Sequence, residues 1–294
     1  MNTDEKLNKY RPSPDALLNP CHDEVFKALF TNESEESHTA LRCFLTAVLH
    51  KEVKDVQLRP NEPPVTDDSD KGVRFDVSCT FNDGEAADVE MQGVNRYHSF
   101  GRRAEYMSAR LLNSVFHKGD DWQNMHQVYQ ISLLNFIFDK SDASAIGHYR
   151  MQKDNGHLLS GIQTVIFLEL PKIDALGDVP PESLHSEERW CKFMVDADNP
   201  SKQDYIRQLA EAEGGGIMEA KKTLDSISSD WVLWKRELDR DIIESDRNSE
   251  LHYAQEQGLQ LAKQEDARNL KKLGVPVQTI AQATGLSEEE IAQL

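Results

Sequence analysis

The sequence predicts an α/β protein, a central sheet covered by helices, followed by a helical C-terminal extension. Three observations carry that expectation. Residues 73–81 and 86–92 alternate apolar and polar side chains with the period of two that a strand imposes. Gln127–Phe138 and Gln163–Leu170 are apolar runs rich in β-branched and aromatic residues, the pattern of buried strands. The stretches around them carry apolar residues at helical spacing, giving the order helix, strand, strand, helix, strand, strand.

Taken in order, residues 1–20 are rich in Pro, Asn and charge and read as a poorly ordered leader. His38–Lys51 places Leu41, Phe44, Leu45, Val48 and Leu49 on one helical face. Pro60–Asp70 reads as a loop before the two alternating strands. A helix over Arg96–His117 turns Ala104, Met107, Leu111 and Val115 inward. The α/β domain is expected over residues 21–172. Beyond it, Ser183–Met194, Lys202–Glu213 and Glu219–Leu238 read as helices, the last two separated by Gly214, Gly215 and Gly216, and a helical region extends to Leu273. Residues 274–294 read as a small helix–turn–helix, with Gly285 stopping one helix and Ser287 with Glu290 boxing the start of the next.

Composition bounds the function. With 33 basic and 51 acidic residues among 294, the formal net charge is −18. A polyanion is repelled by such a chain as a whole, so any nucleic-acid role needs a local basic surface and a cation at the site. No apolar run reaches the length a bilayer demands, and the N-terminus lacks the apolar core of a signal peptide. A cytoplasmic protein without membrane contact is expected, its four cysteines reduced and matching no zinc or disulfide spacing.

The segment Val73–Gln92 is the most informative. Arg74, Asp76, Ser78 and Thr80 share one face of the first strand, and Asp88, Glu90 and Gln92 share one face of the second. Asn82-Asp83-Gly84 suits a three-residue hairpin loop, a type I turn closed by a left-handed glycine. That loop sets Phe81 against Glu85, and hence Asp76 opposite Glu90 and Phe75 opposite Met91. Two carboxylates so placed repel each other unless a proton or cation lies between them. A hard divalent ion needs one or two carboxylates plus water and phosphate oxygens, which this pair offers; an exposed hairpin with an acidic outer face is the bland alternative.

The arrangement Asp76…Glu90-x-Gln92, between an N-terminal helix and a long following helix, resembles the catalytic hairpin of the PD-(D/E)XK nuclease superfamily. More closely, the chain resembles the Rpn family of recombination-promoting nucleases. His22–Phe30, Arg74–Val77, Val89–Gln92, Arg102/Arg103 with Tyr106, and Ile166–Lys172 carry the likeness. It implies a restriction-endonuclease-like sheet and a DNA endonuclease acting in recombination or transposon-related breakage, with Mg²⁺, or Mn²⁺ in its place, as cofactor. By the same resemblance Asp76, Glu90 and the Met91 carbonyl hold the metal and Gln92 positions the water. Asp23 assists the metal or holds the hairpin, unless it only caps its helix. The superfamily's usual third residue is Lys; Gln92 orients without contributing charge.

Lys27, Arg96, Arg103 and Arg110 are the expected DNA contacts. The three arginines recur every seven residues and share a helix face away from Met107 and Leu111, as a phosphate track or a solvated face. The terminal helix–turn–helix is not read as a DNA reader, because Glu288, Glu289 and Glu290 open its second helix. It suits packing or homo-oligomer assembly through the C-terminal helices. The rival readings are a non-catalytic DNA-binding or regulatory descendant of such nucleases, and a helical assembly protein.

Overall fold

The computed structural model describes residues 16–62, 73–93 and 99–294. Among them six strands form one mixed sheet: β1 (Val56–Leu58), β2 (Val77–Phe81), β3 (Glu85–Gln92), β4 (Val128–Leu134), β5 (Ile146–Arg150) and β6 (Gln163–Glu169), in the order β1-β2-β3-β4-β6-β5. The β2–β3 hairpin is antiparallel, β3, β4 and β6 run parallel, and β5 closes the far edge antiparallel. β3 is central, buried from Ala86 through Met91. Of the leader expected over residues 1–20, residues 1–15 lie outside the described residues, as does most of the expected loop. Leu18, in contrast, is buried in the main core, and its amide donates to Ser228 Oγ at 3.0 Å.

Both sheet faces are covered. On one, Val77, Cys79, Ala87, Val89, Met91, Ile131 and Leu168 join the main core with helices α1 (Asp23–Thr31) and α2 (Glu35–Leu49). Helix α4 (Leu170–Asp174), which continues directly from β6, adds Leu170 and Ile173 to that core. The same core takes in α5 (Ser186–Asp196), α6 (Gln203–Ala212) and α7 (Gly216–Ser228). Phe30, Phe44 and Trp190 pack tilted and edge-to-face at its centre, ring centroids 5.3 to 6.4 Å apart. On the other face lies α3 (Phe100–Val115), whose Met107 and Leu111 pack on Phe75, Ala86 and Val128, and whose Phe100 and Ala104 pack on Leu134 and Phe167. This is the restriction-endonuclease-like architecture, a mixed sheet between helices.

The structure departs from the sequence expectation at several points. The edge strands β1 and β5 were not expected, because both are short and lack an apolar run. Another is the first strand of the hairpin, which is regular only from Val77, not from Val73. Phe75 therefore lies with Ala86, Met107 and Leu111, on the face opposite Met91, instead of pairing with Met91. A bend at Asp76 causes the switch. It is held by Asn61, whose carbonyl accepts from Phe75 N at 2.8 Å and whose amide donates to the Asp76 carbonyl at 3.2 Å.

A break at Ser229-Asp230 divides the expected helix Glu219–Leu238 into α7 and α8 (Trp231–Lys272). The chain forms two compact units, residues 1–234 and 235–294. In the second, Ala267 on α8 packs with Ile280 on α9 (Val277–Thr284), Leu286, and Ile291 on α10 (Glu288–Gln293). Gly285 ends α9 in the left-handed conformation, φ 73°, and the Ser287/Glu290 capping box opens α10. Among the described residues no helix is long and apolar enough to cross a membrane.

Candidate active site

The hairpin register follows from its loop. Phe81 pairs with Glu85, Ser78 with Asp88 and Val77 with Val89, as the three-residue loop requires. The loop conformation differs in one respect: Asn82 (φ 48°) joins Gly84 (φ 114°) at positive φ. Asn tolerates that region, and its side chain spans to the Glu52 carbonyl and the Lys54 amide, fixing the turn against β1's approach. A Cβ on Gly84 would meet the His126 ring at 2.9 Å.

The next rung of this ladder would set Asp76 opposite Glu90. There the bend intervenes, and Asp76 turns its carboxylate to the open edge of β3, where Oδ2 accepts from Met91 N at 3.3 Å. The carbonyl of a strand residue points to the same side as its N–H, so the Met91 carbonyl also faces that edge. From α1, Lys27 reaches Asp76 Oδ1 at 3.1 Å and Asp23 Oδ2 at 2.9 Å. Asp23 lies in the first turn of α1, one residue past the N-cap position, which His22 holds.

On the α3 side, Arg103 donates to Gln92 Oε1 at 2.8 Å and approaches Glu90 Oε2 at 3.5 Å. Thus Asp76, Glu90, Gln92, Asp23, Lys27 and Arg103, read separately in the sequence, converge. Arg110 lies two turns further along α3 and is partly buried, while Arg96 lies outside the described residues.

The electrostatics are those of a site short of positive charge. Burial, then Asp23, push the Asp76 carboxyl up to about 6, against the pull of Lys27 and the Met91 amide. Glu90, at 1% exposure, is pushed up to about 8 by burial and then by Asp76, with Arg103 opposing. Burial works against the Lys27 ammonium, but Asp76 and Asp23 outweigh it and raise its pKa.

The carboxylates belong to a buried polar layer, of which sequence reasoning missed Gln130 and Ser132. Ser78, Asp88 and Gln130 form one cross-strand row, and Glu90 and Ser132 the next, all of them buried. Both Asp88 oxygens, Glu90 Oε1, both Gln130 amide atoms and Ser132 Oγ have no hydrogen-bond partner among the described residues. Gln130 lies close enough to temper Asp88, yet burial and then Glu90 hold the Asp88 carboxyl well above its ordinary range. Buried polar atoms without partners are uncommon and costly. The signal was present: Gln130 and Ser132 interrupt the apolar run VYQISLL at alternate positions, on the face of Asp88 and Glu90.

Residues 20–254 match the family model of the PD-(D/E)XK nuclease family transposases. The chain belongs to that family. No curated protein and no solved structure matched it. The family match covers the hairpin, α1, α3 and the helices α5–α7, and supports a nuclease or transposase-related role for the chain.

Among the described residues no three His, Cys, Asp or Glu side chains are grouped as a ready metal cage. Glu90 Oε1 is buried and unpartnered, Asp76 and the Met91 carbonyl face the same edge, and two carboxylates suffice for an ion completed by water and phosphate. The donor set fits a hard divalent cation.

Proposed function

We propose that this chain is a divalent-metal-dependent DNA endonuclease, using Mg²⁺ or Mn²⁺, that makes breaks in recombination or transposon-related events. The observation that carries the reading is the bend at Asp76, which sets one carboxylate on the Met91 amide, at the residue after Glu90 on β3. Asp76, Glu90 and the Met91 carbonyl would hold the ion. When bound, it would supply an acidified water and neutralise charge on the scissile phosphate.

The remaining steps belong to the chain's own residues. Lys27 holds the Asp76 carboxylate in place and keeps one positive charge at the site. Asp23 anchors Lys27 from the preceding turn of α1 and so acts on Asp76 at one remove. Arg103 partly offsets the charge of Glu90. Arg110 would continue the positive path along α3 for the DNA backbone, and Arg96, outside the described residues, is the further arginine the sequence offers it. A non-catalytic DNA-binding descendant is the second reading. It is favoured by the ion pair that Lys27 already makes with Asp76.

The test is incubation of the purified protein with supercoiled plasmid in Mg²⁺, in Mn²⁺ and in chelator, beside Asp76→Ala. Metal-dependent nicking lost in the variant is the expected result. Wild-type protein that binds Mn²⁺ but leaves plasmid intact would turn the reading to the non-catalytic descendant.

A further inference from the structure

Arg103 is more than one member of an arginine face. It lies in the first turn of α3, flanked by Phe100 and Ala104, which pack on Leu134 and Phe167. Its starting point is therefore fixed by the core, and its guanidinium lies 6.0 Å from the Phe100 ring. From there it meets two side chains of β3 that share one strand face, Glu90 and Gln92.

A guanidinium has five N–H donors and no acceptor. Its 2.8 Å contact with Gln92 can therefore be made only by the amide oxygen. That choice fixes the side chain: the oxygen turns to α3 and the NH₂ forms the opposite arm. A charged donor on an amide oxygen also strengthens the NH₂ as a donor, because linked hydrogen bonds polarise one another.

We propose that Arg103 is a positioning residue that holds Gln92 as a hydrogen-bond donor to a non-bridging phosphate oxygen of the bound DNA. In this arrangement Gln92 touches substrate and Arg103 acts through it. This rests on the nuclease reading above. It differs from the sequence expectation, in which Gln92 orients the water.

The experiment measures kcat and KM for cleavage of a duplex oligonucleotide by the full chain in Mn²⁺. The variants are Arg103→Ala, Arg103→Lys, Gln92→Ala, Gln92→Glu and the double Arg103→Ala/Gln92→Ala. Mn²⁺ affinity by calorimetry and the melting temperature are followed in each. Arg103→Ala and Gln92→Ala should each lower kcat by about 10-fold to 100-fold, on the order of 1.4–2.7 kcal/mol of barrier, with KM little changed. The double variant should be no worse than Gln92→Ala, since one residue works through the other. Arg103→Lys should recover part of the loss. Gln92→Glu should be as slow as Gln92→Ala, because a carboxylate keeps the contact with Arg103 but has no N–H to offer.

Additive losses, or a rise in KM confined to Arg103→Ala, would overturn the positioning role and make Arg103 a direct phosphate contact. Wild-type rates in Gln92→Glu would overturn the donor role. Losses that track melting temperature alone would reduce Arg103 to a structural residue. A wild type that binds Mn²⁺ and cuts nothing overturns the nuclease reading, and this role with it; the other failures leave that reading standing.

Discussion

At the residue scale, three acidic side chains with little access to water, Asp76, Glu90 and Asp88, tie stability to pH. All three pKa values are raised, so each carboxyl favours folding as the neutral acid. The sign follows from linkage: their contribution is fully present below the ordinary carboxylate range and is lost as pH rises from there through the folded values. With Asp76 at about 6 and Glu90 at about 8, metal-free protein should lose stability as pH rises toward 8. The loss should be about 1.4 kcal/mol per pH unit for each carboxyl, ending for Asp76 before it ends for Glu90. Urea titrations across that range check this, and saturating Mn²⁺ should remove most of the loss. A metal-free protein equally stable at both ends would show that these carboxyls are already compensated. Asp76→Ala and Glu90→Gln should each abolish cleavage, because one anionic ligand of two is lost; plasmid nicking measures it. Gln92→Lys, which brings the residue usual in the superfamily, should lower the rate here. It sets an ammonium against Arg103, which donates to position 92 at 2.8 Å. An assay showing Gln92→Lys faster than wild type would contradict that geometry.

Among the elements, β3 and β4 decide what the site rests on. Replacing Asp88 by Asn keeps the shape of a buried side chain and removes its ionisation. Metal-free Asp88→Asn should therefore match or exceed wild-type stability at pH 8, with the smallest difference at pH 5, by urea unfolding. A marked loss at both pH values would mean that the carboxylate has a partner the unbound protein does not display. The hairpin register was legible in the sequence because Asn82-Asp83-Gly84 and the alternation Val77, Cys79, Phe81 fix it twice over. The bend at Asp76 was not, because it depends on Asn61, fifteen residues away across β1's continuation. Arg103 could be placed on a face of α3 from spacing alone. That this face meets Gln92 needs the packing of Phe100 on Phe167, at 5.5 Å between ring centroids, which no local pattern encodes. The polar pair Gln130 and Ser132, on one face of β4, was hidden within an apolar run, since an overall apolar character says nothing of which face its exceptions take.

For the whole molecule, the net charge of −18 and the positive groups at the site act in opposite directions. Long-range repulsion should keep DNA affinity weak in chelator, while a bound divalent ion and the α3 arginines act only at contact distance. Contacts to phosphate release counterions, so affinity should fall linearly with salt on logarithmic axes, with a slope of about −0.9 for each phosphate neutralised. The Arg96→Ala/Arg103→Ala/Arg110→Ala triple variant should flatten that slope by up to about three such increments. Its fold should persist, since Arg103 is exposed, Arg110 is only partly buried, and the core of α3 is made by Met107, Leu111, Phe100 and Ala104. Fluorescence anisotropy with a labelled duplex, run in Mn²⁺ with Asp76→Ala and Asp76→Ala/triple proteins to prevent cutting, gives both slopes. Equal slopes would show that these arginines carry no phosphates and that the DNA path lies elsewhere on the molecule. A slope reduced by a single increment would assign the phosphate contact to one arginine. Reverting position 103 alone would then separate that contact from the positioning role, in which Arg103 itself neutralises none.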